Sequence, residues 1–352
     1  MRILVGVQGT GNGHLSRCAA LAEAASQRSD IELDFLVSGR PQAALFDMEA
    51  FGDWQWCEGL TFAVQQGRVS LRETMRRNNW GKFWQDVQQL DLAPYDLIVS
   101  DYEPITAWAG RKQQRRVIGI GRQFAFYKAT QTLPIHVAQR QLLRWFAPVS
   151  EALGMHWFED GQHTMPPIIH QRAQVTNLQQ RHYLVYLPFE NLAAIHQLLA
   201  PLSDYRFSVF HPQAEHQQVG HVHYFPPSRQ GFADCFASVA GVISNAGFET
   251  SCEALAMGKK LLVRPLQGQF EQVANARCLD IAGLAQVMEE LSTEQVQRFI
   301  EQDSAVYCKW PNVAEAVVAW LAAGAQEPVA KLSKRLWQQS ELHDYFQLVK
   351  RY

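Results

Sequence analysis

Gly241-Val242-Ile243-Ser244-Asn245-Ala246-Gly247-Phe248-Glu249-Thr250-Ser251-Cys252-Glu253-Ala254-Leu255-Ala256-Met257-Gly258 is the stretch from which the architecture can be read. The run from Gly241 to Ser244 is short and apolar, bounded by glycine and asparagine, as expected of a strand buried on both faces of a parallel sheet. Past Asn245-Ala246-Gly247, the apolar residues Phe248, Cys252, Leu255 and Ala256 recur at i, i+4, i+7 and i+8, one face of a helix that stops at Gly258. Strand, tight small-residue turn and helix in that order predict an α/β fold. A helix opened in this way presents unpaired backbone N–H groups and about half a positive charge. Ser244, Ala246 and Gly247 put little side chain in front of it, so a phosphate fits there.

Glu249 and Glu253 lie four apart on that helix, where like charges cost roughly 0.2–0.5 kcal/mol. Helix stability therefore does not account for the pair. Two readings stand on spacing alone. The acids are solvated near the favourable end of the dipole, or one of them accepts both ribose hydroxyls of a nucleotide whose diphosphate sits at the helix start.

The next segment narrows the choice. Lys260-Leu261-Leu262-Val263-Arg264-Pro265 reads as a second strand, followed by the polar loop 266–270 and then Glu271-Gln272-Val273-Ala274-Asn275. From Ser244 to Asn275 the sequence resembles the donor-sugar signature of GT-B glycosyltransferases. The likeness is to the glycosyltransferase 28 C-terminal domain of the MurG type, to the UDP-glycosyltransferases, and most to a prokaryotic MurG-like group. The resemblance implies α/β architecture of the GT-B fold, two Rossmann-like domains facing a central cleft. It further implies that Ser244, Asn245, Ala246, Gly247 and Thr250 cradle a diphosphate, that Glu253 binds the ribose hydroxyls, that Glu271 and Gln272 hold the sugar, and that Asn275 closes the motif. Two departures are visible. Asn245 stands where plant-type members carry a histidine, and the tryptophan that stacks on uracil there has only Phe225 as a loose counterpart.

A second signature opens the chain. Arg2 to Val7 reads as a strand, and Gln8-Gly9-Thr10-Gly11-Asn12-Gly13-His14 as a glycine-rich loop leading into a helix with Leu15, Cys18, Leu21 and Ala22 facing inward. The glycines are out of phase with the G-x-G-x-x-G of a dinucleotide site, which weighs against a Rossmann oxidoreductase. Gly9 to His14 resembles the opening of MurG and the Gly-His of UDP-glycosyltransferases, which places Gly11, Asn12 and Gly13 on the acceptor side. Tyr95 to Asp101 forms a strand ending in an acid, and the resemblance makes Asp101 the partner of a catalytic His14. Both residues stand just past the carboxyl ends of strands, where open α/β sheets place their sites. The alternative for His14 is that it only orients the loop and the substrate.

At 352 residues, 47% of them apolar, the chain has material for two cores. The boundaries read as 1–165 for the first domain, 177–325 for the second and 326–352 for a terminal helix returning to the first, with the proline- and glycine-bearing segment 160–176 between. Further elements are expected as strands 31–37, 116–121, 182–188, 205–210 and 221–225, and as helices 134–153, 190–200, 229–239 and 331–352. A formal charge of -2 argues against a nucleic-acid binder working through bulk charge. The six cysteines are scattered without C-x-x-C spacing, and no segment has the length of a secretory leader core or a membrane span, so a cytoplasmic location is expected. Residues 68–89 carry Arg68, Arg72, Arg76, Arg77 and Lys82 beside Trp80, Phe83 and Trp84. This is either an amphipathic helix with a solvated basic side or a surface peripheral to the inner face of the membrane.

The expected function is inverting transfer of a sugar from a UDP-sugar to the hydroxyl of an unidentified glycan, glycolipid or small molecule. No cofactor and no metal is expected, because no clustered acidic pair with ligand spacing is seen. Competing readings are a nucleotide-sugar-binding subunit without turnover and an enzyme like UDP-N-acetylglucosamine 2-epimerase.

Overall fold

The computed structural model describes the chain except residues 63, 66, 67, 70, 131, 134, 170–177, 303, 304 and 343–352, and only the backbone at 64, 65, 68, 69, 71 and 229. The chain divides into two units, Met1–Gln171 with Trp310–Ser340, and Arg172–Lys309 with Glu341–Tyr352.

In the first unit, the apolar run after Arg2 becomes strand β1 (Arg2–Gln8), with Ile3, Leu4 and Val7 fully buried. It is followed by α1 (Asn12–Ser26), β2 (Glu32–Ser38), β3 (Gln55–Trp56), the antiparallel pair β4 (Val64–Gln65) and β5 (Arg68–Val69), α2 (Leu71–Arg77) and α3 (Trp80–Gln89). Then come β6 (Leu97–Asp101), α4 (Pro104–Lys112), β7 (Val117–Gly121), α5 (Val137–Phe146), β8 (Glu151–Met155) and β9 (Thr164–Met165). Seven of these strands form a parallel sheet in the order β3-β2-β1-β6-β7-β8-β9. Parallel strands joined by helices are covered on both faces, which is why β6 and β7 are buried along their whole length. Val7 of β1 sits opposite Asp101 of β6, so two site-bearing strands end side by side.

The second unit repeats the rhythm with β10 (Gln179–Tyr186), α6 (Leu192–Leu199), β11 (Arg206–Phe210), β12 (Gln217–Val219), β13 (Val222–Phe225), α7 (Arg229–Ser238) and β14 (Val239–Asn245). It continues with α8 (Phe248–Ala256), β15 (Lys260–Arg264), α9 (Phe270–Ile281), β16 (Gln286–Val287), α10 (Thr293–Glu301) and β17 (Cys308–Lys309). The sheet order is β12-β13-β11-β10-β14-β15-β16, parallel but for the antiparallel edge strand β12. Its core joins Tyr183, Val185, Phe207, Val209, Ile243 and Leu262 to Ile195, Leu199 and Phe299.

The chain returns to the first unit earlier than the expected boundary of 326. From Trp310 to Ser340 it belongs there, through α11 (Val313–Ala322) and α12 (Val329–Gln338). The sequence Val313-Ala314-Glu315-Ala316-Val317-Val318-Ala319-Trp320-Leu321 is too apolar to leave exposed, and α11 lays it against α1. Arg116 donates to the carbonyls of Gly324 and Ala325 at 3.0 and 2.8 Å, and Ser333 Oγ and Trp337 Nε1 both donate to the Thr164 carbonyl at 2.6 and 2.8 Å. The expected helix 331–352 thus ends at Gln338 and is followed by β18 (Glu341–Leu342), which pairs with β17; Phe346 and Val349 lie outside the described residues.

Three further expectations are corrected. The helix expected over 134–153 stops at Phe146, and 151–155 is a sheet strand, because Pro148 offers no N–H to continue the helix. Segment 160–176, read as linker, contributes β9 to the first sheet. Segment 68–89 is broken at Asn78-Asn79, where the Asn79 side chain caps α3. Arg76 and Arg77 there pair with Glu73, and the rings of Trp80, Trp84, Trp108 and Trp145 lie against one another.

Candidate active site

The carboxyl ends of β1, β6 and β7, neighbours in the first sheet, deliver three side chains to one place. His14 is the third residue of α1, Asp101 ends β6, and Gln123 follows β7. The His14 Nδ1 lies 3.1 Å from Asp101 Oδ1, and the Gln123 amide nitrogen 3.5 Å from His14 Nε2. Asp101 needs close approach of the neighbouring backbone: a Cβ on Gly121 would stand 2.7 Å from its Oδ1.

Sequence reasoning missed Arg17. It lies one helical turn beyond His14 on the inward face of α1, and its guanidinium clasps Asp101 with Nε to Oδ2 at 3.1 Å and Nη2 to Oδ1 at 2.7 Å. The Cys18 thiol adds a contact to Oδ2 at 3.3 Å. Asp101 is 2% exposed, Arg17 3% and His14 8%, so this is a buried charge pair with an imidazole at its edge. Burial pushes the Asp101 carboxyl up, but Arg17 and His14 outweigh it and hold it at about 2. Arg17 Nη2 also lies 3.1 Å from His14 Nδ1. A carboxylate only accepts and a guanidinium only donates, so the two contacts call for opposite tautomers; the one with its proton on Nδ1 pairs with Asp101 and leaves Nε2 as the basic nitrogen. An arginine at an inward-facing helix position was the available signal.

The loop beyond Asp101 is held firmly. Tyr102 has a φ of 56°, a left-handed conformation that costs a non-glycine residue energy and is kept by packing of its ring on Phe146 and Phe124. The buried Glu103 caps α4 by accepting from Ile105 N, Thr106 N, Thr106 Oγ1 and Ser38 Oγ at 2.6–2.8 Å. Burial raises its carboxyl, and those hydrogen bonds oppose the rise. On the other side, Arg40 braces the glycine-rich loop by donating to Asn12 Oδ1 and the Thr10 carbonyl at 3.0 and 3.1 Å. Gly11 is the N-cap of α1, and Gly13 lies in its first turn.

In the second unit, β14, the turn Asn245-Ala246-Gly247 and α8 adopt the expected strand–turn–helix. The expected ligand residues fall into two groups. Ser244, Asn245, Ala246, Gln272 and Asn275 are buried and shape the turn. Asn275 Nδ2 donates to the Ala246 carbonyl, Asn245 Nδ2 to the Arg264 carbonyl and Ser244 Oγ to the Asn245 carbonyl, each at 3.0 Å. Gln272 Oε1 accepts from Leu266 N at 3.0 Å. Gly247, Thr250, Glu253 and Glu271 are half-buried; Gly247 and Thr250 stand at the start of α8, Glu253 in its second turn and Glu271 at the start of α9.

Helix capping separates these starts from the rest. Side chains of Asn79, Glu103, His136, Asn191, Ser228, Ser292 and Asn312 cap α3, α4, α5, α6, α7, α10 and α11. The starts of α1, α8 and α9, the three opened by the sequence motifs, carry no side-chain cap, nor does α12, which begins after Pro328. An uncapped start keeps its N–H groups and its dipole available to an anion. Among the described residues, no three His, Cys, Asp or Glu side chains come together as a metal-ligand group, and no helix is long and apolar enough to cross a membrane.

Two parallel-sheet Rossmann-like units of this kind define the GT-B fold, and solved GT-B enzymes match the chain nearly end to end. The glycosyltransferase of kitacinnamycin superposes with a TM-score of 0.61 at 12% identity, covering 97% of this chain and 99% of its own. The enzyme LpCGTa in complex with UDP gives 0.57 at 14%, covering 96% and 98%. The spinosyn rhamnosyltransferase SpnG complexed with thymidine diphosphate gives 0.56 at 14%, covering 100% and 99%. A search of the curated proteins gave no match. The sequence model of the family described as Glycosyl transferase family 1 matches residues 1–303, and the chain belongs to that family as a glycosyltransferase.

Proposed function

We propose that this glycosyltransferase moves a sugar from a UDP-sugar held by the second unit to an acceptor hydroxyl activated by His14 in the first, with inversion and without a metal ion. The observation that carries the reading is the 3.1 Å contact of His14 with the buried Asp101 at the ends of adjacent strands. His14 Nε2 takes the hydroxyl proton, the acceptor oxygen bonds to the anomeric carbon, and the bond from that carbon to the diphosphate oxygen breaks, its electron pair leaving with the diphosphate. One displacement from the face opposite the leaving group inverts the centre. The acceptor is a hydroxyl of a glycan, glycolipid or small molecule placed by Gly11, Asn12 and Gly13. The donor side is supported by the uncapped start of α8, by the MurG-like order of residues 244–275, and by the UDP and thymidine diphosphate in the complexes of LpCGTa and SpnG.

On this reading Glu253 accepts the ribose hydroxyls, and Glu271 and Gln272 face the sugar. Glu253→Ala is expected to weaken UDP binding by about 1–3 kcal/mol, the loss that follows removal of a charged hydrogen-bond acceptor. An unchanged dissociation constant in calorimetry rejects the assignment.

The dipole and N–H groups of α8 stabilise the departing diphosphate in the role a cation plays elsewhere. Transfer is therefore expected to proceed at an undiminished rate in EDTA. Full loss of turnover, restored by magnesium or manganese, contradicts this. The reading as a whole is tested by NMR of the product from a panel of UDP- and dTDP-sugars with hydroxyl acceptors: a glycoside of inverted anomeric configuration is expected, and a retained configuration or an epimerised sugar nucleotide opposes it.

A further inference from the structure

We propose that Arg264 is a ligand of the donor diphosphate, held by Glu190 until a nucleotide displaces that carboxylate. The inference rests on the donor site proposed above and adds to it a cation to which the sequence analysis assigned no role.

The sheet order places it. Arg264 ends β15 and is paired in register with Asn245, the last residue of β14; Glu190 follows β10 on the other side of β14. The ion pair between Arg264 Nη1 and Glu190 Oε1 therefore spans the carboxyl end of β14, the strand that delivers residues 244–247. Both side chains are largely but not fully covered, at 15% and 14% exposure, so the pair is within reach of a ligand. Glu190 is itself anchored, its carbonyl 3.0 Å from His211 Nε2 and its N–H donating to Leu187.

Charge balance calls for such a residue. A nucleoside diphosphate brings at least two negative charges, and the start of α8 offers about half a positive one. Other cations of this sheet are at the wrong end. Lys259 Nζ is spent on the carbonyls of Ala237 and Val239, and Lys260 Nζ on that of Ile300, while Arg206 opens β11.

Two unsatisfied atoms mark the same corner. Among the described residues, Arg264 Nε and Asn245 Oδ1 are buried without a hydrogen-bond partner, and Asn245 is only 6% exposed. Buried polar atoms are ordinarily paired: the open Arg264 Nε suits an acceptor oxygen such as that of a phosphate, and the open Asn245 Oδ1 suits a hydroxyl of the same ligand. A guanidinium fork matches phosphate oxygens as well as carboxylate oxygens. The exchange of Glu190 for diphosphate thus keeps Arg264 paired with an anion and releases the Glu190 carboxylate, whose side chain is 14% exposed.

Calorimetric titration with UDP and with uridine, on the wild type and on Arg264→Met, Arg264→Lys and Glu190→Gln, tests the inference. Arg264→Met is expected to weaken UDP binding by about tenfold or more and leave uridine binding unchanged, with Arg264→Lys recovering part of the loss. Glu190→Gln removes the competitor, so UDP is expected to bind as tightly as to the wild type or more tightly. Unchanged UDP affinity in Arg264→Met overturns the proposal. So does a loss in Glu190→Gln as large as that in Arg264→Met, which is the behaviour of a purely structural pair. If the wild type binds UDP and Arg264→Met does too, this inference alone fails; if the wild type binds neither UDP nor dTDP, GDP, ADP or CDP, the donor-site reading fails with it.

Discussion

His14→Ala is expected to lower kcat for glycosyl transfer by about 10²–10⁴ while the affinity for UDP stays within error. A sugar hydroxyl is a weak nucleophile until its proton is drawn off, and imidazole exchanges protons near neutral pH. The geometry supplies the second requirement of a general base, a partner that fixes the ring. Asp101 Oδ1 is 3.1 Å from Nδ1, which leaves Nε2 on the other side of the ring, 3.5 Å from the Gln123 amide nitrogen. His14 belongs to the first unit and the expected nucleotide contacts to the second, so the two properties separate on mutation. Near-normal turnover of the variant with its true acceptor removes His14 as the base and Asp101 as its support.

Asp101→Asn is expected to destabilise the protein by about 3–5 kcal/mol, the cost of removing one partner of a buried ion pair. Arg17 is 3% exposed and directs two nitrogens at Asp101. The double variant Arg17→Met with Asp101→Asn removes both charges and is expected to recover much of the loss, which chemical denaturation of the single and double variants reads as a coupling energy. Additive losses contradict the pairing. The same carboxylate sets an acid limit. Its folded pKa of about 2 lies below the unfolded value near 3.9. A lowered folded pKa means the contribution is complete above about pH 5 and is lost as pH falls through 4 toward 2, on the order of 2 kcal/mol in all. Asp101→Asn is expected to flatten the stability curve in that window; an unchanged acid limb rejects this origin.

Much of the fold was legible because its signals are local. The apolar run, small-residue turn and apolar i, i+4, i+7 face at 241–258 correspond to β14 and α8 within a few residues, and the glycine-rich loop at 9–14 likewise opens α1. Local signals failed where tertiary burial decides. The apolar spacing through Trp145, Phe146 and Leu153 continues across Pro148; the proline ends the helix, but that 151–155 is a strand follows from its pairing with β7 and β9. The apolar surface of α11 announced burial but not against what, so its place on α1 was out of reach. The site divides in the same way. His14 and Asp101 are each marked by a strand end, whereas Arg17 and the Glu190–Arg264 pair acquire meaning only from partners far along the chain. The structure also sorts the motif residues: Asn275, conspicuous in the sequence, is fully buried and holds the Ala246 carbonyl, acting on the turn from behind.

The central claim is that a nucleoside diphosphate sugar is held at the β14–α8 turn of the second unit. Hydrogen exchange followed by mass spectrometry, with and without saturating UDP, tests it most directly. The account predicts protection concentrated in peptides covering 244–253 and 264–275, with the 9–14 loop unchanged. Protection of 9–14 with none at 244–253, or no protection anywhere at saturating UDP, dTDP or GDP, contradicts it.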